Sequence, residues 1–166
     1  VKNIFLIIED NRIFNLNIGI KKKNYQQTIN KNFLENTLTE AKDLFKETYQ
    51  DYKIMHMVVK KFLINGNYYS SFADDLKSDN LCLEIKFISI PNNLALEIEK
   101  VLEKYQIKID RYLNESYVID LNSEKKFELP LIANKIMNGY NENEVLVIPK
   151  NLKKKGFFEK FFQLFS

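Results

Sequence analysis

The side chains able to do chemistry are few and far apart. His56 is the only histidine and lies inside an apolar run, residues 54–64 (IMHMVVKKFLI). One histidine cannot build an imidazole cluster around a metal or a two-histidine relay. Its surroundings make a satisfied core or edge histidine the simpler expectation. Cys82 is the only cysteine and sits between Leu81 and Leu83. An internal disulfide is therefore excluded and a reducing compartment fits. No basic neighbour or helix start adjoins Cys82 to favour its thiolate, so a buried thiol is expected rather than a nucleophile. The carboxylate pairs Glu9 with Asp10 and Asp74 with Asp75 fall in loop-like stretches, where solvated turn residues are the ordinary reading. Gly19, Gly66, Gly139 and Gly156 are the only glycines and lack the spacing of a phosphate-cradling loop. No catalytic group, cofactor or metal ligand is assigned, and the chain is not expected to be an enzyme.

The chemistry that the sequence does concentrate is interfacial. Residues 156–166 (GFFEKFFQLFS) follow a basic stretch containing Lys153, Lys154 and Lys155. On a helical wheel, Phe157, Phe158, Phe161, Phe162, Leu164 and Phe165 share an arc of roughly 160°, and Glu159, Lys160, Gln163 and Ser166 take the other side. A phenylalanine-rich helix behind a lysine cluster has the composition of a segment lying in lipid headgroups. The membrane-binding residues expected are thus Lys153, Lys154, Lys155, Phe157, Phe158, Lys160, Phe161, Phe162, Leu164 and Phe165. Six partly inserted apolar side chains contribute on the order of 8 kcal/mol gross. Lysines near an anionic leaflet add about 1 kcal/mol each. Ordering so short a helix costs a similar amount, so reversible binding is expected. No stretch approaches the roughly 18 to 20 apolar residues of a membrane-spanning helix, and the contact is expected to be peripheral.

The elements that would carry this tail can be placed from periodicity. Residues 4–8 (IFLII) and 13–20 (IFNLNIGI) flank the turn signal Glu9, Asp10 and Asn11, which predicts a hairpin. A helix follows, capped by Thr28 or Asn30, with Leu34, Leu38, Ala41 and Phe45 on one stripe. Residues 54–64 and 81–90 read as strands, the first ended by Asn65, Gly66 and Asn67 and the second by Pro91. Asn92 or Asn93 then caps a second helix whose Leu94, Ile98, Val101, Leu102 and Tyr105 recur at helical spacing. A last strand is expected within 107–121, and a short helix over 129–137, ended by Asn138 and Gly139. The expected class is α+β, a largely antiparallel sheet with two helices on one face, plus the C-terminal amphipathic helix. The expected division is an α+β domain over 1–121, a linker with a short helix over 122–155, and the membrane-targeting helix over 156–166.

Charge supports this division. The chain of 166 residues carries a net +3, and residues 150–166 hold five lysines against Glu159, which leaves −1 for the body. Nucleic-acid binders ordinarily spread lysine and arginine over a folded face, so no nucleic-acid partner is expected. The nine tyrosines are scattered without an RNP-like order. A soluble nucleic-acid or ligand-binding α+β domain, its last helix packed on its own core, is the alternative.

The order of elements, with the basic amphipathic tail, resembles the FtsA family of bacterial actin-like division proteins. Residues 1–20 (VKNIFLIIEDNRIFNLNIGI) look like the strand pair leading into that family's inserted strand-helix-strand-strand subdomain, and residues 32–46 like its helix. The run 54–66 (IMHMVVKKFLING) is similar to the family's hxHhhPxxahhDG strand, with His56 at its histidine. Residues 85–121 resemble the remainder of the subdomain, and 157–165 take the place of the membrane-targeting helix. The resemblance covers about the first 121 residues and the tail, through hydrophobic patterns rather than catalytic signatures. The family's phosphate loops and its FtsZ-binding lobe have no counterpart here, so ATP binding is not carried over. What the resemblance implies is a role in cell division at the septum, on the cytoplasmic face of the inner membrane. Its implied partners are an anionic membrane surface and other division proteins or FtsA copies, and a free sheet edge would allow self-association.

Overall fold

A computed structural model describes residues 1–23, 28–72 and 76–145. Its framework is a four-stranded antiparallel sheet in the order β2 (Phe14–Lys23), β7 (Asn80–Pro91), β4 (Tyr52–Ile64) and β5 (Asn67–Tyr69). The tight turn into β5 places Asn65 and Gly66 at φ of 52° and 79°. Only glycine and, less readily, asparagine take this left-handed backbone without a large steric cost, which is why the Asn-Gly pair marks the turn.

Helix α1 (Lys31–Thr48) covers one face of the sheet. The Asn30 side chain caps it, accepting from the backbone N–H of Phe33 at 2.9 Å. The expected stripe is the buried one, since Leu34, Leu38, Ala41 and Phe45 all lie in the core with Met57, Val59, Phe62, Leu81, Leu83, Ile85 and Phe87. Phe45 stacks on Phe87 with ring centroids 4.6 Å apart. Each such large side chain taken from water contributes about 1.5 to 3 kcal/mol.

Strand β4 serves both faces because it bulges twice, between Ile54 and His56 and between Val59 and Lys61. Side chains alternate along a strand, so each extra residue exchanges inside and outside. The first bulge moves His56 from the face of Ile54 to the face of Ile88, its partner on β7. The second sends Phe62 and Ile64 inward beneath α1 and leaves Lys61 on the other side, opposite Glu84.

On that other side lies a second core, built from Met55, Val58, Ile88, Ile90 and residues of β1 (Lys2–Ile8), α2 (Asn92–Glu103), β8 (Ile107–Asn114), α3 (Glu115–Leu121) and α4 (Leu129–Met137). The α+β class and the antiparallel sheet are as the sequence suggests, and three details differ. First, β1 and β2 form no hairpin, because β1 pairs in parallel with β8, Lys2 opposite Ile107. The turn is present, with Ile13 N–H donating to the Asp10 carbonyl at 3.1 Å, but it passes the chain between sheets. Five successive apolar residues without alternation suit a parallel strand flanked on both faces better than half of a hairpin. Second, α2 does not share a face with α1. Its Leu94 and Ala95 join the second core, whereas Val101 and Tyr105 are 55% and 72% exposed. Third, Asn92 and Asn93 lie inside the helix, with Pro91 at its cap position. Asn92 instead donates its side-chain amide to the Gln50 carbonyl at 2.9 Å.

Helix α4 has the predicted bounds, and its Ile132, Ala133 and Ile136 are core residues, as is Val145. The stretch expected to act as a linker is thus packed into the body as far as residue 145. A third, two-stranded sheet joins β3 (Thr28–Ile29) to β6 (Leu76–Lys77).

Candidate functional site

The densest polar cluster among the described residues lies under the first bulge of β4, where β8, α3 and residues 141–145 converge. The bulge points the His56 ring at the start of α3. The backbone N–H of Asn114 donates to His56 Nε2 at 3.0 Å. Accepting there fixes the tautomer, since a neutral ring has one acceptor and one donor nitrogen. Nδ1–H then donates to Glu144 Oε1 at 2.9 Å. The ring is fully buried, and loss of hydration holds its pKa below the usual 6.5 against the opposing pull of Glu144.

Glu144 gathers two further donors. Arg111 Nη2 donates to Oε1 at 3.2 Å and the Tyr117 hydroxyl to Oε2 at 3.2 Å. Tyr117 accepts in turn from Asn141 Nδ2 at 2.9 Å, and its ring lies 4.1 Å from that of His56. Burial raises the pKa of the Tyr117 hydroxyl, with Glu144 adding to the effect. Backbone pairing locks the same segment onto β4, since Val145 N–H donates to the Met57 carbonyl and Val59 N–H to the Asn143 carbonyl, both at 2.8 Å. At the start of α3, Asn114 Oδ1 accepts from Tyr117 N–H at 3.0 Å. Glu9 accepts from Ser116 N–H at 3.1 Å and from Asn114 Nδ2 at 3.2 Å.

This arrangement is a clasp rather than a reaction centre. Both His56 nitrogens are occupied, and Glu144 faces three donors with almost no exposure. A general base needs a free lone pair within reach of a substrate proton, which His56 does not have. Beside the clasp is a cavity of about 340 Å³, walled by Tyr117, Asn141, Glu9 and Asp120 on one side and by Asn15, Lys60 and Lys86 of the sheet on the other. Its size falls within the roughly 300 to 1,000 Å³ typical of small-molecule pockets.

The residues singled out from sequence are dispersed. His56 is the satisfied core histidine expected. Cys82 lies half-buried on β7, across the sheet from α1, between Lys21 and Leu63. Glu9 binds the start of α3, and Asp10 pairs with Arg12, whose guanidinium draws its carboxyl down to a pKa of about 2. Asp74 and Asp75 lie outside the described residues, as do Lys153, Lys154, Lys155, Phe157, Phe158, Lys160, Phe161, Phe162, Leu164 and Phe165. Sequence reading did not find Glu144, Arg111, Tyr117 or Asn141. Glu144 stands in an Asn-Glu-Asn-Glu stretch that reads as a solvated turn, 88 positions from His56. Among the described residues no three His, Cys, Asp or Glu side chains gather to hold a metal, and no helix is long and apolar enough to cross a membrane. No family model and no curated protein matches the chain.

Proposed function

We propose that this chain is a peripheral membrane adaptor of the bacterial division machinery, similar to FtsA, whose body presents a surface to other proteins. The observation that carries the reading is the complete separation, over 156–166, of five phenylalanines and Leu164 from the polar side chains, directly behind Lys153, Lys154 and Lys155. The succession β2, α1, β4, β7, with the short strands β3, β5 and β6 set between them and β7 lying between β2 and β4 in the sheet, supports the strand-helix-strand-strand subdomain that the resemblance implies. Helix α1 backs this unit on one face, and β2 leaves a ten-residue edge without a strand partner among the described residues, suited to another copy or a division protein. The location proposed is the cytoplasmic face of the inner membrane.

Co-sedimentation with anionic liposomes tests the reading. The full chain pellets, and Phe161→Asp with Phe162→Asp leaves it in the supernatant. Equal pelleting of the two sinks the membrane assignment. The cavity beside Tyr117 favours a second reading, a ligand-binding body. A small anion that protects the chain from unfolding, and loses that effect in Lys86→Gln, would favour it.

A further inference from the structure

The sheet has one face beneath α1, but only part of its other face is covered. Near Ile88 and Val58 the second core lies over it. Farther along, rows of side chains cross the strands without an element above them. Lys21, Cys82, Leu63 and Tyr68 form one row, and Gly19, Glu84 and Lys61 the next. Asn17 and Lys86 follow, with Lys60 in the bulge beside them, and here the bare face borders the second core, since Lys60 and Lys86 form one wall of the cavity that α3 lines on the other side. A Cβ built on Gly19 would meet nothing within 4 Å, and Tyr68 is 72% exposed.

The charge on this face is one-sided. Lys21, Lys60, Lys61 and Lys86 stand against Glu84, which pairs with Lys61 at 3.3 Å, while Glu9 and Asp120 face Lys60 and Lys86 from the far wall of the cavity without pairing with them. Lys21, Lys60 and Lys86 form no ion pair among the described residues. Across the sheet, α1 carries four acids against three lysines. Lys22 pairs with Glu40 on that side and offsets the difference, so the local surplus of cations in a body close to neutral overall lies on the bare face. Unpaired lysines on neighbouring strands repel one another and are retained at some cost to stability.

We propose that this bare face is a second, electrostatic contact with an anionic lipid surface, lying flat while the tail inserts. The proposal rests on the membrane reading above. Charge complementarity selects the occupant. Lysine is a hydrated point charge suited to a diffuse negative surface, whereas paired recognition of single phosphates favours arginine. Single-stranded nucleic acid needs a run of aromatic platforms, and Tyr68 is the only aromatic on this face among the described residues. Stable peripheral attachment ordinarily takes two signals, and a basic patch is a usual companion to one apolar anchor.

The full chain is tested on phosphatidylcholine vesicles with and without phosphatidylserine, as Lys60→Gln with Lys86→Gln and, separately, as Phe161→Asp with Phe162→Asp. Each lysine beside an anionic leaflet strengthens binding about fivefold. The lysine variant should therefore partition about 30-fold less onto phosphatidylserine vesicles at low salt, with binding to phosphatidylcholine unchanged. Lys60→Arg with Lys86→Arg keeps the charge and should bind as the parent does, which separates loss of charge from loss of fold. A polarity-sensitive dye at Gly19→Cys, in a chain carrying Cys82→Ser, should shift to the blue on these vesicles alone. If the lysine variant binds as the parent does while the phenylalanine variant fails, the face proposal falls and the tail reading stands. If the phenylalanine variant keeps a salt-sensitive binding that the lysine variant loses, the face proposal stands and the tail reading falls. Binding of an oligonucleotide through Lys60 and Lys86 without binding to phosphatidylserine overturns the proposal.

Discussion

Replacing Glu144 with alanine asks how much the clasp holds. The substitution strands two buried donors, the His56 Nδ1–H and the Tyr117 hydroxyl, and removes the partner of Arg111. A buried donor left without an acceptor costs about 1 to 3 kcal/mol. Arg111 retains some exposure and recovers water, so its share is small. The two buried donors together set the loss at about 3 to 5 kcal/mol, the range for opening a buried ion pair from one side. A domain of this size has about 5 to 15 kcal/mol in all. Glu144→Gln keeps the volume and one oxygen for His56 and Arg111 but offers Tyr117 a donor in place of an acceptor, which costs about 1 kcal/mol. Urea unfolding at neutral pH measures both. With a slope of about 2 kcal/mol per molar, the alanine midpoint should fall by about 2 M and the glutamine midpoint by about 0.5 M. An alanine variant within about 1 kcal/mol of the parent, or a glutamine variant equal to it, would refute the reasoning.

Three further outcomes follow from the same coordinates. His56 has a folded pKa below its ordinary 6.5, so the unfolded chain binds the extra proton first. Stability is fully present above about pH 6.5 and is lost as pH falls below it, by at most about 1.4 kcal/mol per pH unit from this residue, and His56→Gln should flatten that segment of a urea-midpoint profile. Asn30→Ala removes the α1 cap and should cost about 1 kcal/mol in the same assay, with Asn30→Ser recovering most of it. Asp10 should titrate near pH 2 by carboxyl NMR, and Arg12→Gln should return it toward 3.8.

What was legible in the sequence was local. The α1 stripe and the bounds of α4 follow from apolar spacing and from Asn30, Asn138 and Gly139, because a helix is written in residues three and four apart. Pairing across the chain left no such trace. Residues 4–8 carry no mark of their partner near Ile107, and the adjacent turn suggested the nearer strand instead. The strand expected within 107–121 is β8, and it stops at Asn114 because that side chain caps Tyr117 N–H and starts α3, although Tyr117, Val118 and Ile119 by type favour extended backbone. The bulges of β4 hid which of its side chains face α1, and with them the surroundings of His56. Glu144 could not be distinguished from the solvated acids beside it until the fold brought Arg111, Tyr117 and His56 to it.

The partnership of β1 with β8 also sets an order on assembly. On a ribosome the strand nearest the amino end emerges early, yet its partner lies more than a hundred residues downstream. At about 5 to 20 residues per second, that delay lasts several seconds. Throughout it Ile4, Phe5, Leu6, Ile7 and Ile8 have no docking place, while the sheet of β2, β4 and β7 can close without them. Those five apolar side chains are the part of β1 that stays open to unwanted contacts until β8 is made.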